Sequence, residues 1–197
     1  MGDGWPDCPV WTWSVGVYGR DGVAAACLEL QDRHGLDVNL LLLACWLAAH
    51  GRALDGETLA RARAATGRWQ AEVVRPLRAA RRALKAQLAA PAPGEIAHGG
   101  ERGALAAGLR RRLAALELDA EHLEQLGLAA AAAAVIGRAA GDAAQRAGPA
   151  LAAANLARCH RFGAADREAL RALLAGVFDA MPAAEIEAAL LSSTTGV

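Results

Sequence analysis

The chain carries no excess charge of either sign: 21 basic residues meet 21 acidic ones over 197 positions. A balance of this kind excludes a global basic field for nucleic acid or an anionic membrane surface and leaves only local patches for such contacts. Lysine is nearly missing, with Lys85 alone among arginines. That bias reflects coding composition more than arginine chemistry. Aromatic residues amount to 4%, and after Trp69 only Phe162 and Phe178 remain. The better specified core therefore belongs to the first ninety residues, and the rest is built from Ala and Leu. The four cysteines, Cys8, Cys27, Cys45 and Cys159, form no C-x-x-C pair and have no histidines at zinc-finger spacing. They read as small buried hydrophobes, which suits a reducing compartment. The first residues show neither a positive n-region nor an apolar h-region, so a secretory signal is not expected and a cytoplasmic location is. No apolar run reaches the roughly 20 residues that span a bilayer.

Motifs of several enzyme classes are missing as well. There is no Walker A loop, no Rossmann glycine fingerprint, no G-x-S-x-G elbow, no H-E-x-x-H pair and no D-D-x-x-D pattern. Period-2 alternation of any length is absent, which excludes a sheet-based fold. No cofactor or metal is implied.

What remains points to helices throughout. Hydrophobic residues make up 54% of the chain, enough for a real core. Alanine, roughly a quarter of the residues, has the highest helix propensity. The clearest element runs from Asp37, an N-cap residue, through Val38–Ala49 to His50-Gly51, a C-terminal signal. It is apolar on every face and too short to cross a membrane, so it reads as a buried central helix at about 38–50.

Around it the spacing predicts a helix at 8–18, capped by Asp7, with Trp11, Val15 and Tyr18 on one face. A second is expected at 22–34, capped by Asp21, with Val23, Cys27 and Leu30 inward. A fourth is expected at 56–66. A fifth starts near Gly67 with Trp69, Val73, Leu77, Leu84 and Leu88 inward, and Pro76 predicts a kink or break at Arg75.

Residues 91–103 have linker composition. The expected organisation is thus an N-terminal helical bundle domain at 1–90, the linker, and an Ala-rich helical segment at 104–197. In that segment Leu105, Leu109, Leu113 and Leu116 form one apolar stripe. Asp119 is placed to cap a further helix with Leu123 and Leu126 inward. Pro149 opens a helix ending near His160, and 165–181 buries Leu170, Leu173, Leu174, Val177 and Phe178. Pro182 opens a last short helix, and the tail should fray from Ser192. The fold class is all-α.

Four ordered blocks resemble a known family. They are Trp11-x-Trp13-Ser14; Gly22-Val23 with Ala26-Cys27-Leu28-x-Leu30-Gln31; Gly35-x-Asp37-Val38-Asn39-Leu40-Leu41-Leu42; and Trp69-x-x-Glu72-Val73-Val74-x-Pro76-Leu77-Arg78. Together, over about residues 8–88, the chain resembles an uncharacterised family of small proteobacterial proteins, a domain of unknown function. The resemblance implies a bacterial cytoplasmic setting and transfers no catalytic residue.

Three constellations could carry function. Asn39, Trp46 and His50 fall on one line of the central helix, an amide, an indole and an imidazole able to floor a small-molecule pocket. Gln31, Asp32, His34 and Asp37 surround a tight turn and offer acid–base groups. Arg75, Arg78, Arg82 and Lys85 follow 3-4-3 spacing and form a basic stripe opposite the leucines of the same helix. No aromatic residue interleaves that stripe, so a base-stacking platform for nucleic acid is missing. The basic stripe supports a non-enzymatic adaptor or regulatory protein that binds a protein partner. The alternative is a small enzyme or ligand-binding protein with a pocket on the central helix. Close packing of Ala-rich helices also makes a homo-oligomer an option.

Overall fold

A computed structural model describes residues 4–89, 100–137 and 147–194. Most of those residues are helical and none of them is in a strand, as the sequence requires. The elements are α1 (Pro9–Tyr18), α2 (Val23–His34), α3 (Val38–Ala49) and α4 (Gly56–Trp69), then a π-helical turn (Gln70–Val74), α5 (Arg75–Ala89) and α6 (Gly100–Ile136). After these come α7 (Pro149–Cys159), a 3-10 turn (Ala164–Asp166), α8 (Arg167–Val177) and α9 (Ala183–Thr194). Residues 91–99 of the expected linker lie outside the described residues, and 100–103 form the first turn of α6. The chain divides into two compact units: described residues up to Ala65 with those from Gln125 onward, and Thr66–Glu124.

The first unit is built around α3. Every residue from Val38 to Ala48 is buried, and Leu43, Cys45 and Leu47 are wholly enclosed. Full burial of a leucine stabilises by about 1.5–3 kcal/mol, so this one helix supplies much of the unit's drive to fold. Asp37 caps it: its Oδ1 accepts the Asn39 N–H at 2.9 Å. Helix α7 packs along α3, α9 along α7, and α8 along α2. The α2–α8 approach depends on Gly176, where a Cβ would overlap Val23 Cγ2. A β-branched neighbour cannot swing away, so only glycine lets the two helices come this close.

Two expected caps are replaced. Cys8 and not Asp7 is the N-cap of α1, with Pro9 at the first helical position. Gly22 in a left-handed conformation, φ 78°, and not Asp21, starts α2. The buried face of α1 is Val10, Trp11, Ser14 and Val17, while Val15 points outward. Gly35 ends α2 at φ 66°, as expected.

One asparagine ties three segments of this unit together. Asn155 of α7 is almost fully buried. Its Oδ1 accepts the Leu54 N–H at 2.8 Å, and its Nδ2 donates to the carbonyls of Ala44 at 3.1 Å and Arg52 at 3.0 Å. The chain leaving α3 is thereby held against α7.

The second unit contains the end of α4, the π turn, α5 and the first two thirds of α6. Helix α4 passes through Gly67 to Trp69, and the interruption expected at Arg75 takes the form of the π turn Gln70–Val74, after which α5 starts at Arg75. Proline cannot donate and crowds the preceding turn. The i→i+5 turn just before α5 widens the helix where that crowding falls, and Arg75 N–H bonds the Gln70 carbonyl. Helix α6 is one continuous element, so Asp119 sits in its interior and caps nothing. The expected apolar stripe of α6 is not a core face. Leu105, Leu109, Leu116 and Leu123 are exposed at 69%, 44%, 54% and 45%. Helix α8 ends at Val177, earlier than expected, and α9 runs through Thr194, past the point where fraying was expected.

Candidate functional site

The basic stripe of α5 divides in two. Arg75, Arg82 and Lys85 are exposed. Arg78 is turned onto α6, with 12% of its side chain exposed, and its Nε donates to Glu117 Oε1 at 3.0 Å while Nη2 reaches Glu121. Arg81, which lies off the stripe, also bonds Glu117, whose side chain is 7% exposed. As residue numbers rise from 78 to 81 on α5 their partners fall from 121 to 117, so α5 and α6 run antiparallel. Burial pushes the Glu117 carboxyl up, but Arg81 and Arg78 outweigh it and hold the group below the ordinary glutamate range. Trp69 joins the same helix pair by donating Nε1–H to the Ala120 carbonyl at 2.9 Å.

The signal for this network was present in the sequence. An acidic pair at i,i+4, Glu117 and Glu121, answers a basic pair at i,i+3, Arg78 and Arg81. Antiparallel helices join such pairs directly.

On α3, Trp46 and His50 stack with ring centroids 4.3 Å apart, and His50 Nδ1–H donates to the Trp46 carbonyl at 2.8 Å. Asn39, the third residue of that line, is buried and accepts from Gln125 Nε2 at 3.0 Å. Gln125 Oε1 in turn lies 3.4 Å from the Ser14 hydroxyl. The amide thus serves a buried hydrogen-bond chain linking α1, α3 and α6.

The acid–base group near the end of α2 is rearranged by residues distant in sequence. His34 Nε2–H donates to Asp166 Oδ1 at 2.7 Å, Arg33 Nη1 reaches the same oxygen at 2.7 Å, and the Gly163 N–H donates to Oδ2 at 2.8 Å. The His34 ring lies 4.4 Å from that of His160, and Phe162 closes edge-on to both. Asp32 is exposed and bonds Gln31, while Asp37 remains the α3 cap. Sequence reasoning missed Asp166 and His160 because nothing local links position 34 to position 166.

Burial raises the Asp166 carboxyl, but the Gly163 N–H, His34 and Arg33 outweigh it and hold the group at about 2, against an ordinary 3.8. The folded state therefore binds this proton more weakly than the unfolded state. The stabilisation is complete above about pH 4 and is lost as pH falls through 2. Asp166→Asn is expected to remove the part of the acid-unfolding slope that lies between those values. An unchanged slope in urea melts taken across that interval would contradict this account of the cluster.

Among the described residues no three His, Cys, Asp or Glu side chains stand together as a metal cage, and no helix is long and apolar enough to cross a membrane. At the start of the π turn, the Gln70 Oε1 is buried without a hydrogen-bond partner among the described residues.

A family model described as a protein of unknown function, DUF2390, matches residues 9–128, well over half of the chain. No curated protein matches, and no solved structure does.

Proposed function

The chain belongs to the DUF2390 family, whose function is unknown, and we propose from its own surface that it is a non-enzymatic adaptor for an acidic protein partner. The observation that carries this reading is the division of the α5 stripe. Arg78 is turned onto α6 and bonds Glu117, whereas Arg75, Arg82 and Lys85 are exposed to solvent on the same helix. Residues 66–124 contain ten basic and seven acidic side chains, a net +3 on a chain that is neutral as a whole. A local cationic patch on a neutral protein steers and orients an anionic partner without drawing nucleic acid to the whole surface. The four cysteines are buried free thiols, which supports the cytoplasm as the setting.

The test is affinity capture by the full chain from lysate of its own source at physiological salt, with and without nuclease, beside the R82E/K85E variant. One stoichiometric protein is expected to be retained after nuclease and lost with the variant, while the thermal melt stays unchanged. Capture that survives the charge reversal would place the contact elsewhere. Capture abolished by nuclease would make the ligand a nucleic acid.

A further inference from the structure

The second unit leaves one row of large apolar side chains uncovered. Leu105, Leu109, Leu116 and Leu123 are exposed on α6, with Leu113 half-buried beside them. Leu109, Leu116 and Leu123 are spaced by seven, and Leu113 falls three residues before Leu116, which is the a/d pattern of a coiled-coil seam. An ordinary solvated helix face has no reason to keep such a row.

The row extends onto the neighbouring helix. The Arg78–Glu117 contact gives the direction in which α5 and α6 face each other. With about 100° per residue, Leu77, Leu84 and Leu88 of α5, all half-buried, fall on the same side of the antiparallel pair as the α6 row. Arg75 and Arg82 fall on the opposite side. A two-helix hairpin cannot enclose a core of its own, and α5 buries no residue fully.

We propose that this face pairs with the same face of a second copy of the chain, giving a four-helix bundle with a twofold axis between residues 114 and 115. The occupant is specified by charge. The border of the row carries Arg112 and Asp119, exposed and seven residues apart. A partner with one sign of charge would match one of them and oppose the other. An inverted copy matches both: Arg112 meets Asp119 of the second copy, and the contact repeats through the twofold. The same register sets Leu116 against Leu113 of the second copy and Leu123 against its Ala106, so these leucines meet a leucine or a small residue. The reading does not depend on the adaptor proposal, because it is tested at Leu109 and Leu116 of α6, whereas that proposal is tested at Arg82 and Lys85 of α5.

Sedimentation equilibrium of the full chain tests it. Wild type is expected to be a dimer. L109E/L116E is expected to be monomeric, with the dissociation constant raised more than about 100-fold, since it places charge in the centre of the seam. Far-UV circular dichroism should be unchanged, because both leucines are exposed in the single chain. R112D and D119R alone should each weaken the dimer by about 3- to 10-fold, and the R112D/D119R double swap should return it to near wild-type strength. A wild-type chain that stays monomeric at all concentrations, or a dimer indifferent to L109E/L116E, overturns the proposal. A double swap weaker than either single variant overturns the antiparallel register.

Discussion

Replacing Asn155 by leucine is expected to lower the unfolding free energy by about 3–4 kcal/mol, although the new side chain has nearly the same volume. The loss comes from the groups left behind. The Leu54 N–H and the Arg52 carbonyl sit in the fold with Asn155 as partner, and the Ala44 carbonyl accepts from the same amide. Each buried polar group stripped of its partner costs about 1–3 kcal/mol. Ala44 adds least, because an α-helix carbonyl keeps its intrahelical bond. Extra apolar surface from leucine offsets part of the total and does not reverse its sign. Urea denaturation should show a lower midpoint with an unchanged slope, meaning that stability has fallen without a change in compactness. Ala154→Leu, one residue away but exposed, should shift the free energy by less than about 0.5 kcal/mol. Equal effects at the two positions would show that Asn155 is not the tie between α3 and α7.

Arg78→Met should destabilise the second unit by about 3 kcal/mol, while Arg82→Met, in the same stripe by spacing but exposed, should cost less than about 1 kcal/mol. Both remove one positive charge, so net charge cannot explain a difference. Arg78 is largely buried and engages Glu117 and Glu121. Burial alone would lower the affinity of its guanidinium for the proton, but the two carboxylates outweigh that and raise it. Its loss leaves Glu117 enclosed with Arg81 as the remaining cation named above. The cost of a broken buried pair is mostly the cost of the charge that stays. Two consequences distinguish this from a simple packing loss. The Arg78→Met effect should shrink as pH falls below the ordinary glutamate range, where protonation removes the carboxylate charge that Arg78 helps Arg81 to balance. The sign follows from Glu117, whose carboxyl is held low in the folded state, so its stabilisation is present above that range and lost below it. Adding Glu117→Leu to Arg78→Met should recover part of the lost stability.

The parts of the fold that could be read from sequence are those where local chemistry and burial agree. Asp37, the run after it that is apolar but for Asn39, and His50-Gly51 define α3 without ambiguity, because no other arrangement hides all its faces. Gly35, Pro149 and Pro182 also mark their helix ends as written. Reading failed where a pattern has two physical solutions. A heptad of leucines identifies a helix face, but not whether that face is covered within the chain, so Leu105, Leu109 and Leu116 looked like core and are exposed. Asp119 resembles an N-cap only if a helix starts there, and the helix formers Leu118 and Ala120 on either side let α6 run straight through. Pro76 would break a regular helix, yet the π turn ahead of it absorbs the disruption.

The functional residues divide along the same line. A stripe of four basic residues was legible as a surface, but its spacing does not say where α6 brings Glu117 and Glu121, and they meet Arg78. The His34–Asp166 contact joins residues 132 positions apart, and only tertiary structure brings them together. Neither composition nor periodicity carries that information.

The adaptor reading rests on Arg82 and Lys85 facing a partner while Arg78 holds the fold. The most direct test is to carry wild type and R82E/K85E through a thermal melt and a capture from source lysate, using the same preparations. The account predicts superimposable melts and loss of the captured protein from the variant alone. A lowered melting temperature for R82E/K85E, or undiminished capture, would contradict it.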